Sequence, residues 1–120
     1  MKKIIKVVAA IIENENNEIL CALRSPIMSL PNMWEFPGGK VESGETLKEA
    51  IEREIKEELH CDVEFIDIFN DNTFEYDKFT VNLITIKCRI TSGVPTANEH
   101  SKLIWLHREN LLSLNWAPAD

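Results

Sequence analysis

Residues 38–61, GGKVESGETLKEAIEREIKEELHC, decide how the rest of this 120-residue chain is read. The stretch opens as a turn, with two glycines and then Glu42-Ser43-Gly44, and continues as one helical pattern over about 46–59. No Gly or Pro interrupts that run, so nothing in its composition breaks the helix. At about 100° per residue, Leu47, Ala50, Ile51, Ile55 and Leu59 fall on one apolar stripe. Lys48, Glu49, Glu52 and Lys56 point away from it, as a solvated face should. Glu58 breaks the pattern, because it falls inside the stripe between Leu47 and Ile51. Glu54 borders the stripe, and Arg53 and Glu57 flank it.

Glu54, Glu57 and Glu58 are spaced i, i+3 and i+4, so their carboxylates converge on one patch. Like charges so spaced destabilise a helix by about 0.2–0.5 kcal/mol per pair. Partial burial makes ionised carboxylates costlier still. The arrangement asks for a cation, and hard oxygen donors suit Mg²⁺ or Mn²⁺ better than zinc. The competing reading is a Glu-rich surface helix with Glu-Lys pairs. On position alone the two readings are evenly matched.

The length suits one domain with one core. A net charge of −7 and a pI near 5.0 argue against polymeric nucleic acid and anionic membrane as partners. An acidic protein still holds a polyphosphate where a divalent cation supplies the missing charge. Cys21, Cys61 and Cys88 are odd in number and show no CxxC spacing, which fits a reducing cytoplasm better than disulfides or zinc. Lys2 and Lys3 before an apolar run resemble the start of a signal peptide, but the run ends in Glu13-Asn14-Glu15-Asn16-Asn17 and no cleavage-like site follows. No segment approaches the roughly 20 apolar residues of a membrane span.

Residues 4–12 are apolar and rich in Ile and Val, 13–18 favour a turn, and 19–24 form a second apolar run. The first twenty-four residues therefore read as a hairpin. Residues 25–32 hold two prolines and read as a loop; Trp34-Glu35-Phe36 reads as a short strand stopped by Pro37-Gly38-Gly39. After the helix, 63–69 and 79–90 read as strands separated by a polar stretch at 70–78. The second alternates, with Leu83, Thr85 and Lys87 on one face and Ile84, Ile86 and Cys88 on the other. Residues 103–106 are a last strand and 108–114 a short helical turn. Strands on both sides of one helix give an α+β fold with a mixed sheet.

The central stretch resembles the Nudix box, whose pattern is Gly, five residues, Glu, seven residues, Arg-Glu, an apolar residue, any residue, Glu-Glu, any residue, Gly and an apolar residue. Gly39, Glu45, Arg53, Glu54, Ile55, Glu57 and Glu58 match at the required spacing, and Cys61 fills the last apolar place. His60 stands where the family has glycine, at a helix C-cap that favours the left-handed conformation. IIENENNEIL near the start, WEFPGGKVE before the helix, NEHSKLIWL late and WAPAD at the end are similar to the MutT-like group, and within it to the CTP pyrophosphohydrolase and 8-oxo-dGTP diphosphatase types.

The resemblance implies an α/β/α sandwich formed by one domain over 1–120, with a second helix expected beyond residue 120. It implies hydrolysis of a nucleoside triphosphate to monophosphate and pyrophosphate, with attack at the β-phosphorus. It implies divalent metal, Mg²⁺ with Mn²⁺ as a substitute, on Glu54, Glu57, Glu58 and the Gly39 carbonyl. Glu99 in the late loop stands where a further carboxylate reaches the metal, against the plainer reading of an exposed loop acid. Arg53 orients the box glutamates, or else forms a surface ion pair with Glu57. The general base stays open among Glu54, Glu57 and Glu99. Arg24, Phe36 and Asp120 match substrate positions: Arg24 near base and phosphates, Phe36 as a pocket wall, and Asp120 as reader of the nucleobase edge. Each has a plainer alternative, as strand-end residue, core aromatic and helix N-cap respectively. Trp34, Trp105 and Trp116 read as core or rim, and His60, His100 and His107 receive no catalytic role. The alternative readings are a dinucleoside polyphosphate or nucleotide-sugar substrate, or a catalytically silent nucleotide-binding module.

Overall fold

A computed structural model describes residues 3–29 and 31–117. The strand β1 (Lys3–Ile12) is its spine, because both of its edges are paired. On one side it takes β4 (Gly38–Lys40) antiparallel, and on the other it runs parallel to β6 (Phe79–Ser92). Beyond β6 lies β5 (Asp62–Glu75), which completes a mixed sheet in the order β4-β1-β6-β5. A second, antiparallel sheet has the order β3-β2-β7, from Trp34–Glu35, Glu18–Leu23 and Lys102–His107. A 3-10 turn at Arg108–Ser113 follows.

One helix, α1 (Leu47–Leu59), packs on the mixed sheet. Thr46 opens it with a capping box: its hydroxyl accepts from the Glu49 N–H while Glu49 accepts from the Thr46 N–H. Such a cap stabilises a helix by about 1 kcal/mol. Ala50, Ile51, Ile55 and Leu59 are fully buried against Val8, Ala10, Ile12, Ile84, Ile86 and Cys88. Burial of each large aliphatic side chain contributes about 1.5–3 kcal/mol. The helix ends at His60, which sits in the left-handed region at φ 57°, as the family's glycine place requires.

The alternate residues Val7, Ala9, Val81 and Leu83 face away from the helix and floor a cleft. Burial of both faces over 8–12 explains why that half of β1 reads as a continuous apolar run rather than an alternating one. All three cysteines are buried and free. Among the described residues no helix is long and apolar enough to cross a membrane.

Three sequence expectations are corrected. Residues 4–24 do not form a hairpin of two laddered strands: β1 and β2 lie in different sheets, joined only by an isolated bridge between Glu13 and Ile19. The reason is that β4 and β6 already occupy both edges of β1. The short strand from Trp34 does end before Pro37, but Gly38-Gly39 open a strand of their own, since Gly38 allows an approach to β1 that a Cβ would block by collision with the Val8 carbonyl oxygen. The polar residues 70–75 continue β5, whose ladder with β6 runs to Glu75↔Thr80. As the outer strand of the sheet, β5 can carry polar side chains in water.

Candidate active site

The pairing of β4 with β1 sets Gly38 and Gly39 opposite Ala9 and Val8, directly under the acidic edge of α1. Glu58 turns back to accept a hydrogen bond from the Gly38 N–H at 3.1 Å. Glu54 lies against Gly39 so closely that a Cβ there would collide with its carboxylate. The glycine pair thus serves two purposes: one admits the neighbouring strand, the other makes room for a carboxylate.

Arg53 ties this edge together. Its Nε and Nη2 donate to Glu45 at 2.6 and 2.9 Å, a two-pronged contact. Its Nη1 donates to Glu54 at 2.8 Å and to Glu57 at 3.3 Å, and Nη2 also reaches the Lys40 carbonyl at 3.0 Å. The contact with Glu57 exists, but the guanidinium hydrogen-bonds three carboxylates, has a fourth, Glu42, at 3.6 Å, and is more than a surface ion pair. Hydrogen bonding to Arg53 holds the Glu45 carboxyl down at about 2. Glu58 moves the other way: burial, with the charges of Glu54 and Glu35 adding to it, raises its carboxyl to about 7 against the opposing charge of His100.

Glu54, Glu57 and Glu58 are thus neighbours, and Gly39 lies beneath Glu54. Glu99 stays apart. It is exposed in the turn between Asn98, whose amide reaches the Glu57 carbonyl at 3.5 Å, and His100. Among the described residues no three His, Cys, Asp or Glu side chains are arranged around one point that could hold a metal ion. Arg53 draws Glu54 and Glu57 to itself, and Glu58 faces Gly38. The donors nonetheless fit a hard divalent cation in kind, being all oxygen, and in place, since Glu54 fills the space that the missing Gly39 side chain leaves.

The cleft beside this edge measures about 610 Å³ and is lined by Arg24, Ser29, Glu35, Phe36, Gly39, Glu58 and Tyr76 above its aliphatic floor. Phe36 packs on Trp116 with ring centroids 4.8 Å apart. Trp116 bridges to Trp34, and Ala117, also in the lining, donates its N–H to the Trp34 carbonyl. Trp105 packs on the core. Asp120, expected to read the nucleobase edge, lies outside the described residues.

Sequence reasoning assigned no role to Glu35 or His100, which the structure joins to Arg24. Arg24 Nη1 lies 2.7 Å from one Glu35 oxygen, and His100 Nε2 lies 2.6 Å from the other. Burial alone would raise the Glu35 carboxyl, but the bonds to His100 and Arg24 outweigh it and hold it low. Burial opposes a charge on His100, yet the Glu35 bond and the nearby Glu58 charge raise its pKa. The only signal in the sequence was a charged residue between two aromatics in Trp34-Glu35-Phe36. Glu45 was visible as a motif match, but its grip on Arg53 was not.

The NUDIX domain family model matches residues 3–120. The chain is 36% identical over 118 residues to the CTP pyrophosphohydrolase of Escherichia coli (strain K12), a match covering 98% of this chain and 87% of that protein. It is 32% identical to the 8-oxo-dGTP diphosphatase of the same organism, over 100% of this chain and 92% of that one. The solution structure of a MutT protein of the Nudix hydrolase family from methicillin-resistant Staphylococcus aureus 252 superposes with a TM-score of 0.80 at 53% identity, covering 100% of this chain and 92% of that one. Fold, box geometry and these likenesses agree, and the chain belongs to the NUDIX family as a Nudix hydrolase.

Proposed function

We propose that this chain is a Mg²⁺-dependent nucleoside triphosphate pyrophosphohydrolase that acts on cytosine or 8-oxoguanine nucleotides. The observation that carries the reading is the acidic edge of α1, Glu54-Glu57-Glu58, set over Gly38-Gly39 at the side of a cleft that also holds Arg24 and Phe36. The relatives' named substrates support the choice of base. Three buried free cysteines suit a reducing compartment, and we place the enzyme in the cytoplasm.

Nudix hydrolases act with a divalent metal, and here Glu54, Glu57, Glu58 and the Gly39 carbonyl would hold Mg²⁺, with Glu99 of the late loop as a further proposed ligand. A bound divalent cation supplies charge neutralisation for the polyphosphate and acidifies water. The chain's residues do the rest. Water adds its oxygen to the β-phosphorus, and the bond from that phosphorus to the α–β bridging oxygen breaks. Nucleoside monophosphate leaves, and pyrophosphate carries the new oxygen. The water's proton passes to a carboxylate among Glu54, Glu57 and Glu99. Arg53 holds Glu54 and Glu57 oriented before the substrate arrives. Arg24 has N–H groups to offer the phosphates or the base, and Phe36 and Tyr76 wall the base. Asp120 is the proposed reader of the base edge: an ionised carboxylate accepts from the cytosine N4 amine or the guanine N1–H and N2 amine.

A hydrolysis panel in Mg²⁺ buffer made with ¹⁸O-water, read by phosphorus NMR, tests this. CTP, dCTP, dGTP, 8-oxo-dGTP, dATP, dTTP and a dinucleoside polyphosphate form the panel. The expected result is labelled pyrophosphate from a cytosine or 8-oxoguanine triphosphate. Label in the monophosphate overturns attack at the β-phosphorus. Turnover of the dinucleoside polyphosphate alone overturns the substrate class.

A further inference from the structure

Behind the cleft wall is a chain of contacts that the chemistry above does not use. His100 is 5% exposed and is not part of the cleft lining; its hydrogen-bonded link to the cleft is Glu35. Glu35 is a two-sided connector: one oxygen takes the His100 Nε2 contact at 2.6 Å, the other the Arg24 Nη1 hydrogen bond at 2.7 Å. Both Glu35 oxygens are thus engaged by the network. Arg24 is fixed from a second side, since Nη2 donates to the Ser29 hydroxyl at 2.9 Å and Nε to the Ser29 carbonyl. Arg24, Ser29 and Glu35 all line the cleft.

The fold anchors each end of this chain by backbone. The ladder between β2 and β7 runs to Leu23↔Lys102, and the Ser101 N–H donates to the Leu23 carbonyl at 2.9 Å. His100 is thereby pinned beside the end of β2 that carries Arg24. The Arg24 N–H and carbonyl bond Met33 and Asn32, which closes the intervening loop. The network is not a fully satisfied polar core, however. His100 Nδ1 and the hydroxyl of Ser25, the residue after Arg24, are buried and have no hydrogen-bond partner among the described residues. The engaged end of the ring is Nε2, and what it grips is Glu35.

We propose that His100 is a positioning residue for nucleotide recognition: it holds Glu35, and through Glu35 the Arg24 guanidinium, at the cleft wall. The inference rests on the nucleotide-hydrolase reading above. Without His100, Glu35 has one partner instead of two and swings with Arg24, so the guanidinium spends less time aimed into the cleft.

The test combines steady-state kinetics on the best triphosphate of the panel with calorimetric binding of its monophosphate product. His100→Leu should raise KM about tenfold, with kcat changed less than about twofold, and weaken product binding in step. His100→Gln, which keeps an amide N–H near the Nε2 position, should restore most of the loss. In an Arg24→Ala background, His100→Leu should cost nothing further. An unchanged KM in a His100→Leu protein that melts like wild type overturns the proposal, and so does an equal loss in both backgrounds. Should His100→Leu fail to fold, Glu35→Gln decides: it keeps the shape and weakens both contacts, so an unchanged KM and product affinity overturn the proposal. If wild type binds the monophosphate but turns over no triphosphate, the hydrolase reading fails alone. The binding comparison then still decides the role of His100.

Discussion

The molecule holds two arginine–carboxylate clusters, and they differ in what surrounds them. Arg53 binds Glu45, Glu54 and Glu57 at the more open of the two edges, where the Glu57 side chain is 59% exposed although Glu45 and Glu54 are only 16% and 15% exposed. Arg24 binds Glu35, with both side chains only 16% exposed, and a buried histidine completes the set. In water such pairs contribute little to stability, about 0–1 kcal/mol. When partly buried, removing one partner strands the other charge and costs more. The first cluster therefore has one carboxylate at its open end, Glu57, suited to letting go of the arginine to take a metal or a proton. The enclosed cluster is suited to holding one geometry. In the proposed function the first does chemistry and the second does recognition.

The sharpest way to break this comparison is Glu57→Gln, which keeps shape and removes the charge. We expect kcat to fall at least about a hundredfold, as for loss of a general base or an acidic ligand, measured by pyrophosphate release at saturating substrate. Wild-type turnover in this variant, and likewise in Glu54→Gln, would remove the chemistry from the open cluster.

Arg→Lys at each cluster should separate the roles. A lysine ammonium cannot span the three carboxylates that Arg53 reaches. Arg53→Lys should lower kcat about tenfold with KM nearly constant, whereas Arg24→Lys should raise KM about tenfold with kcat nearly constant. The opposite assignment, or the same parameter moved in both, ends the division of labour.

A smaller effect is expected in acid. The Glu45 carboxyl is held at about 2 against an ordinary 4.5, so the folded state binds its proton less readily than the unfolded chain. Its contribution to stability is therefore fully present above the ordinary value and is lost as pH falls from there toward about 2. Urea midpoints measured across that window should decline less steeply in Glu45→Gln than in wild type. Parallel curves would mean that Arg53 does not hold Glu45 in solution.

His60→Gly touches neither cluster. It relieves a left-handed residue at the end of α1 and should raise stability by up to about 1 kcal/mol. The urea midpoint checks this, and kcat and KM should stay at the wild-type values.

The two clusters were also unequally visible beforehand. Arg53, Glu54, Glu57 and Glu58 lie on consecutive turns of one helix, so helical periodicity alone places them together. Glu58 stood out because an acid inside an apolar stripe contradicts the local pattern. Arg24, Glu35 and His100 belong to the end of β2, to β3 and to the loop before β7. Nothing local relates them, and a lone histidine without motif spacing gave no reason to look. The first-strand hairpin failed for a related reason. Its turn residues signal that the chain reverses, but they cannot signal that other strands have already taken both edges of β1.

Local physics therefore sufficed for the helix, its acidic edge and the family pattern, because all of these are set by residues within a few turns of each other. Tertiary structure decided the rest. Pairing along β1 turned Gly38-Gly39 from a breaker into a strand under the acidic edge. The ladder between β2 and β7 brought residue 100 beside residue 24. Contacts across such separations depend on which strand edges remain free once the core has formed, and no stretch of sequence carries that information alone.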